Sequence, residues 1–130
     1  LDLGLPWLVE EEKGEVIAYA YASPWKQRHA YRFTVEVSVY LLSSSISKGI
    51  GTKLYNALFS ALDSATIHTV LGGIALPNDA SIRLHEKFGM KKSAHFSQVG
   101  FKFGQWIDVA YWQGELSDVL LCSKKMSTEQ

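Results

Sequence analysis

Three hydrophobic patterns follow one another along the chain. Val16 to Ala22 is apolar at every position, Thr34 to Leu42 alternates, and Ile50, Leu54, Leu58 and Leu62 recur four residues apart. The unbroken run predicts a central strand covered on both faces. The alternation sets Val35, Val37, Val39 and Leu41 against Thr34, Glu36, Ser38 and Tyr40, which predicts a half-buried strand. The four-residue spacing predicts one face of a helix. Between strand and helix lie a serine-rich stretch and Gly49-Ile50-Gly51. A glycine turn at a helix start offers unpaired N–H groups at the positive end of the helix dipole, a setting suited to phosphate.

The remaining segments complete a mixed α/β order. Trp7-Leu8-Val9 and the charged Glu10 to Glu15 turn precede the first run, and Ser23-Pro24-Trp25 closes it, since proline cannot donate to a ladder. Lys26 to His29 forms a basic loop that returns into the alternating strand, so these segments predict an antiparallel meander. Ala65 to Leu76 predicts a second buried strand, and strand, helix, strand implies a right-handed crossover with a parallel pair. Pro77 ends it, Asn78 is placed to cap a helix bearing Ile82, Leu84 and Phe88, and Gly89 is the expected left-handed stop. Ala94 to Val99 and Trp106 to Gln113 predict two more strands joined around Gly100 to Gly104. Residues 1–116 form one domain in this reading, and the polar residues 117–130 are expected to be a frayed tail.

Composition narrows the function classes. Thirteen basic and thirteen acidic residues leave no net charge, which argues against bulk nucleic-acid or membrane binding. Any anion is therefore expected to be held by local geometry. A single cysteine, Cys122, allows no intrachain disulfide and fits a reducing, cytoplasmic setting. No apolar run approaches the roughly 20 residues that span a bilayer. The four histidines are scattered without zinc-like spacing, so no metal is expected. The start at Leu1-Asp2-Leu3, without an initiator Met, is expected of a processed or shortened chain.

Several stretches, in order, are similar to one known family. The strand bearing Glu36, the Gly49-Ile50-Gly51 turn and Pro77 to Gly89 (PNDASIRLHEKFG) resemble the GNAT N-acetyltransferase superfamily. Tyr31-Arg32-Phe33-Thr34-Val35-Glu36 and Gly100 to Val109 (GFKFGQWIDV) resemble its phosphinothricin and methionine-sulfoximine acetyltransferase branch. The resemblance runs from about Pro6 to Leu116. It implies a GNAT fold, a central and mostly antiparallel mixed sheet flanked by helices, here without the usual N-terminal strand and helices. Family members usually carry Gln or Arg three residues before the first turn glycine, where this chain has Ile46, followed by Ser47 and Lys48.

The implied activity is acetyl transfer from acetyl-CoA to the primary amine of a small amino-acid-like acceptor, through a ternary complex and in a homodimer. An amine must lose a proton before it attacks, and Glu36 stands in the family's base position. Read from spacing alone, Glu36 is first a solvated carboxylate on a half-exposed strand, and the match from Tyr31 to Glu36 reverses that order. His85 matches a helix position occupied by His in this branch, as a general acid toward the leaving thiolate or as a residue that shapes the pocket; a lone helical His is otherwise a packing residue. By resemblance, a backbone N–H near Tyr40 or Leu41 meets the oxyanion, and Val39 and Leu41 pair with the pantetheine arm. Lys48, Gly49, Ile50, Gly51 and Thr52 hold the pyrophosphate, and Asn78 and Ser81 also contact the cofactor. Arg32 is either the counter-ion of the acceptor's carboxylate or a surface residue, since its guanidinium fork suits a carboxylate. Tyr31, Trp106 and Tyr111 read as core or subunit contacts, with the hairpin from Phe101 to Trp112 as the dimer surface. Two rivals stay open on sequence: a catalytically silent acyl-CoA-binding domain, and an acetyltransferase for a peptide or protein N-terminus.

Overall fold

The computed structural model describes residues 5–42 and 49–128. Strand β1 spans Trp7–Glu12, β2 Glu15–Pro24 and β3 Thr34–Leu41, with a short 3-10 turn at His29–Tyr31 between the last two. Helix α1 covers Ile50–Ala61, β4 Thr69–Ala75 and α2 Asp79–Lys87. Strands β5 (Lys91–Lys102) and β6 (Gln105–Glu115) form a hairpin, and α3 covers Leu116–Thr128. The sheet order is β1-β2-β3-β4-β6-β5. All neighbours are antiparallel except β3 and β4, which run parallel through the α1 crossover.

The core lies on one sheet face. Ala18, Ala20 and Ala22 of β2, Val35 and Val37 of β3, and Val70 and Ile74 of β4 are buried there against the helices. Helix α1 buries Leu54, Tyr55, Leu58 and Phe59, a stripe wider than the four-residue row because Tyr55 and Phe59 lie one position further round. Alanines on β2 let this bulky face come close to the sheet.

Three expectations change. Strand β2 lies second from an edge and is covered on one face: its Tyr19 and Tyr21 stack with Trp7 and Tyr40 on the other. Tyrosine counts as apolar in a pattern, yet its amphipathic ring tolerates a half-exposed face. Strand β4 begins at Thr69 and not at Ala65, because Asp63 turns the chain first, its Oδ1 accepting from Ala65 N at 2.9 Å. Residues 116–128 form a helix where a frayed tail was expected. Leu116 and Val119 are fully buried, Leu120 packs on the core, and Ser123 Oγ donates to Asn56 Oδ1. That spacing is helical, but the polar residues between conceal it.

Candidate active site

Strands β3 and β4 pair at only three positions, Thr34 with Thr69, Val35 with Val70 and Glu36 with Leu71. Beyond them β3 continues along β2 to Leu41, while β4 continues along β6 to Ala75. The parallel pair therefore opens from Val37 and Gly72 onward, and Glu36 is the last residue of β3 paired across it. Both strands point their carboxyl ends into this opening, and α1 and α2 both begin there. Open α/β sheets bind ligands in such a place.

A cleft of ≈ 610 Å³ fills the mouth of the opening. Val39, Tyr40 and Leu41 line it from β3, Gly49, Gly51 and Thr52 from the start of α1, and Asn78 and Ser81 from the start of α2. Eight residues expected at a cofactor thus share one surface. Ile50 packs against the core, which leaves its backbone for a ligand. Lys48 and Ile46 lie outside the described residues. Gly49, at φ 77°, precedes α1 without a side chain to cap it, and no acidic residue stands in the first turn, so the helix end keeps its positive character. Two cations missed by pattern reading join the lining, Arg83 and Lys87. Lys87 Nζ donates to Thr52 Oγ1 at 3.2 Å across 35 residues of sequence, a pairing that only the fold creates. Asn78 caps α2 through Oδ1, which accepts from Ser81 N at 3.0 Å, so a bond to a ligand falls to its amide nitrogen.

Glu36 projects from the face opposite the core. Its Oε2 lies beside Gly73: a β-carbon there would stand 3.3 Å from that oxygen and 3.1 Å from the Tyr111 ring. Burial pushes the Glu36 carboxyl above the usual carboxylate range, opposed by the nearby charge of Lys26. Tyr111, expected as a packing residue, is a neighbour of this carboxylate, and burial and Glu36 both raise its hydroxyl. The adjacent glycines in β4 were the available signal, because glycine inside a strand marks a close approach.

His85 is buried, on the core face. Its ring lies directly on Gly72, where a β-carbon would come within 2.4 Å of the imidazole. Nδ1 bonds the Ser81 carbonyl at 2.7 Å and Nε2 bonds the Tyr55 hydroxyl at 2.9 Å. Burial lowers its pKa, with the Ser81 bond opposing. Neither nitrogen is left for a leaving group, so the geometry favours the pocket-shaping role over the general acid.

Arg32 is engaged within its own turn. Its Nη1 donates to the His29 carbonyl at 2.9 Å and its guanidinium lies 4.2 Å from the Phe33 ring centre. It lines a separate cleft of ≈ 1020 Å³ at the other end of β3, with Lys26, Arg28 and the last turn of α1. Among the described residues, no group of three or more His, Cys, Asp or Glu could hold a metal ion, and no helix is long and apolar enough to cross a membrane.

Comparison with known proteins gives the family and agrees with the fold. The family profile described as acetyltransferase (GNAT) domain matches residues 4–111. A phosphinothricin N-acetyltransferase of Streptomyces viridochromogenes is 43% identical over 108 residues, which are 83% of this chain and 59% of that protein. An L-methionine sulfoximine/L-methionine sulfone acetyltransferase of Salmonella typhimurium is 40% identical over 116 residues, 89% of this chain and 68% of that one. The crystal structure of a GNAT superfamily phosphinothricin acetyltransferase from Sinorhizobium meliloti, in complex with acetyl-CoA, superposes with a TM-score of 0.77 at 37% identity, covering 86% of this chain and 61% of that one. The chain thus spans roughly three fifths of the length of such relatives, 59% for the first.

Proposed function

We propose, on the premise that this chain belongs to the GNAT acetyltransferase family, that it moves an acetyl group from acetyl-CoA to the primary amine of a small amino-acid-like acceptor. The acceptors named for its relatives, phosphinothricin and methionine sulfoximine or sulfone, define the class. The observation that carries the reading is Glu36 at the closed end of the β3–β4 opening, with two helix starts and a free strand edge converging on the cleft above it.

The lining fits the cosubstrate. The uncapped start of α1 with Lys87 and Arg83 suits a pyrophosphate, and the unpaired edge of Val39 to Leu41 suits a pantetheine amide chain. Acetyl-CoA supplies the acyl group as a thioester. Glu36 takes the proton of the acceptor amine, directly or through one water, and its raised pKa makes it a stronger base than an ordinary glutamate. The backbone N–H of Leu41, on the edge that β4 leaves unpaired, is the donor aimed at the oxyanion, while that of Tyr40 faces β2. Lys26, which lines the same cleft as Arg32 and whose charge acts on Glu36, stands beside Arg32 as a candidate to hold the acceptor's carboxylate. Transfer is direct, without an acyl-enzyme.

A thiol-release assay tests this. Acetyl-CoA is offered with methionine sulfone, methionine sulfoximine, phosphinothricin and ordinary amino acids. Turnover with the sulfone, sulfoximine or phosphinate acceptors is expected. Binding of acetyl-CoA without turnover of any of them would favour a silent binding domain. The reading also expects a cytoplasmic homodimer joined through the β5–β6 hairpin, where Phe101 and Trp106 are about 60% exposed, 62% and 63% respectively. A monomer in light scattering would remove the dimer.

A further inference from the structure

Tyr55 was no part of the expected site, yet it is the buried group that joins the two helices flanking the cleft. Its side chain is fully buried in α1, and its hydroxyl reaches Nε2 of His85 in α2 at 2.9 Å. A carbonyl oxygen only accepts, so the 2.7 Å contact with Ser81 places a hydrogen on Nδ1 of His85. In a neutral imidazole Nε2 is then a bare acceptor, and the Tyr55 O–H is its donor. The ring so fixed turns its Cδ2–Nε2 edge to Gly72, the first residue of β4 beyond the last pair with β3. The His85 carbonyl in turn accepts from Phe88 N at 3.1 Å and Met90 N at 3.2 Å, closing the end of α2. One residue therefore ties α1, α2 and the diverging wall of β4 together.

We propose that Tyr55 is a positioning residue: by donating to Nε2 while the Ser81 carbonyl accepts from Nδ1, it holds His85 as the neutral Nδ1–H tautomer with both nitrogens filled, so that the imidazole acts as a fixed spacer between α2 and Gly72 and not as a proton donor. The proposal rests on the acetyltransferase reading only for its kinetic consequence. The walls held at their spacing by this bond carry the cleft-lining residues of both helix starts. Its loss is expected to loosen the grip on acetyl-CoA more than it slows the chemical step.

The first test is nitrogen-15 NMR of the histidine rings in the unliganded protein at neutral pH. His85 is expected to show the Nδ1–H pattern with Nε2 shifted by an accepted hydrogen bond, and Tyr55→Phe to lose that shift. An Nε2–H or doubly protonated ring in the unsubstituted protein would overturn the proposal, and this holds whether or not Tyr55→Phe folds. The second test is kinetic. Tyr55→Phe is expected to raise KM for acetyl-CoA about fivefold with kcat nearly unchanged, the scale of one hydrogen bond. A fall in kcat of about 100-fold at constant KM would instead place the pair in proton transfer and overturn the proposal. Failure of the unsubstituted protein to bind acetyl-CoA by calorimetry would remove the acetyltransferase reading while the NMR still decides the tautomer.

Discussion

Glu36 and His85 meet the Gly72–Gly73 step of β4 from opposite faces, and burial pushes both toward their neutral forms. There the likeness ends. Glu36 stands at the closed end of a strand opening, with the charge of Lys26 opposing its burial and Tyr111 as a neighbour. His85 has a partner on each nitrogen and is 2% exposed. A perturbed ionisation therefore does not by itself mark a catalyst. What separates the two is hydrogen-bond accounting: a base needs an unfilled lone pair facing the reactant, and only Glu36 has one to offer.

The strongest way to break this contrast is at Glu36 itself. Glu36→Gln is expected to lower kcat/KM by about 100- to 10,000-fold in the thiol-release assay, the usual contribution of a general base. Its fold should survive. A carboxyl whose pKa is raised on folding contributes stability below its unfolded pKa and loses it as pH rises through the folded value, so at neutral pH the charge is a burden that the amide removes.

The glycines sharpen the contrast next. Gly72→Ala drives a β-carbon to 2.4 Å from the imidazole and is expected to cost about 1–3 kcal/mol of stability, read as a lowered urea midpoint. Gly73→Ala meets Tyr111 and Glu36 at 3.1 and 3.3 Å, so its effect should fall on activity first. Equal effects of the two alanines would erase the distinction between the faces.

Smaller effects are expected at the helix start and in acid. Asn78→Ala removes the α2 cap and should cost about 1 kcal/mol, together with some acetyl-CoA affinity. His85 has a lowered folded pKa, so its contribution is present above its unfolded pKa and lost as pH falls through the lowered value. Urea midpoints measured down through that window should fall less steeply in His85→Gln.

What could be read from the chain divides along the same lines. The β3 alternation, the Asn78 cap and the Gly89 stop at φ 83° are local, and each was legible because one short stretch contains both cause and effect. The strand-to-helix glycine turn was legible for the same reason, while Val39, Tyr40 and Leu41 entered only through the family resemblance. Helix α3 was hidden because its apolar stripe is thin among polar residues. The Lys87–Thr52 and Tyr55–His85 bonds span 35 and 30 residues and exist only once β4 has brought α2 beside α1. Arg32 fits a carboxylate in chemistry, but the sequence does not show that the 3-10 turn holds it against His29 and Phe33.

The measurement that bears most directly on the contrast is the pH dependence of kcat/KM for acetyl transfer, in the unsubstituted protein and in His85→Gln side by side. The rate is expected to fall in acid through a single ionisation above the usual carboxylate range, with the same midpoint in both proteins. An ionisation that disappears with His85 would make the imidazole the working base or acid, and would contradict the assignment of Glu36.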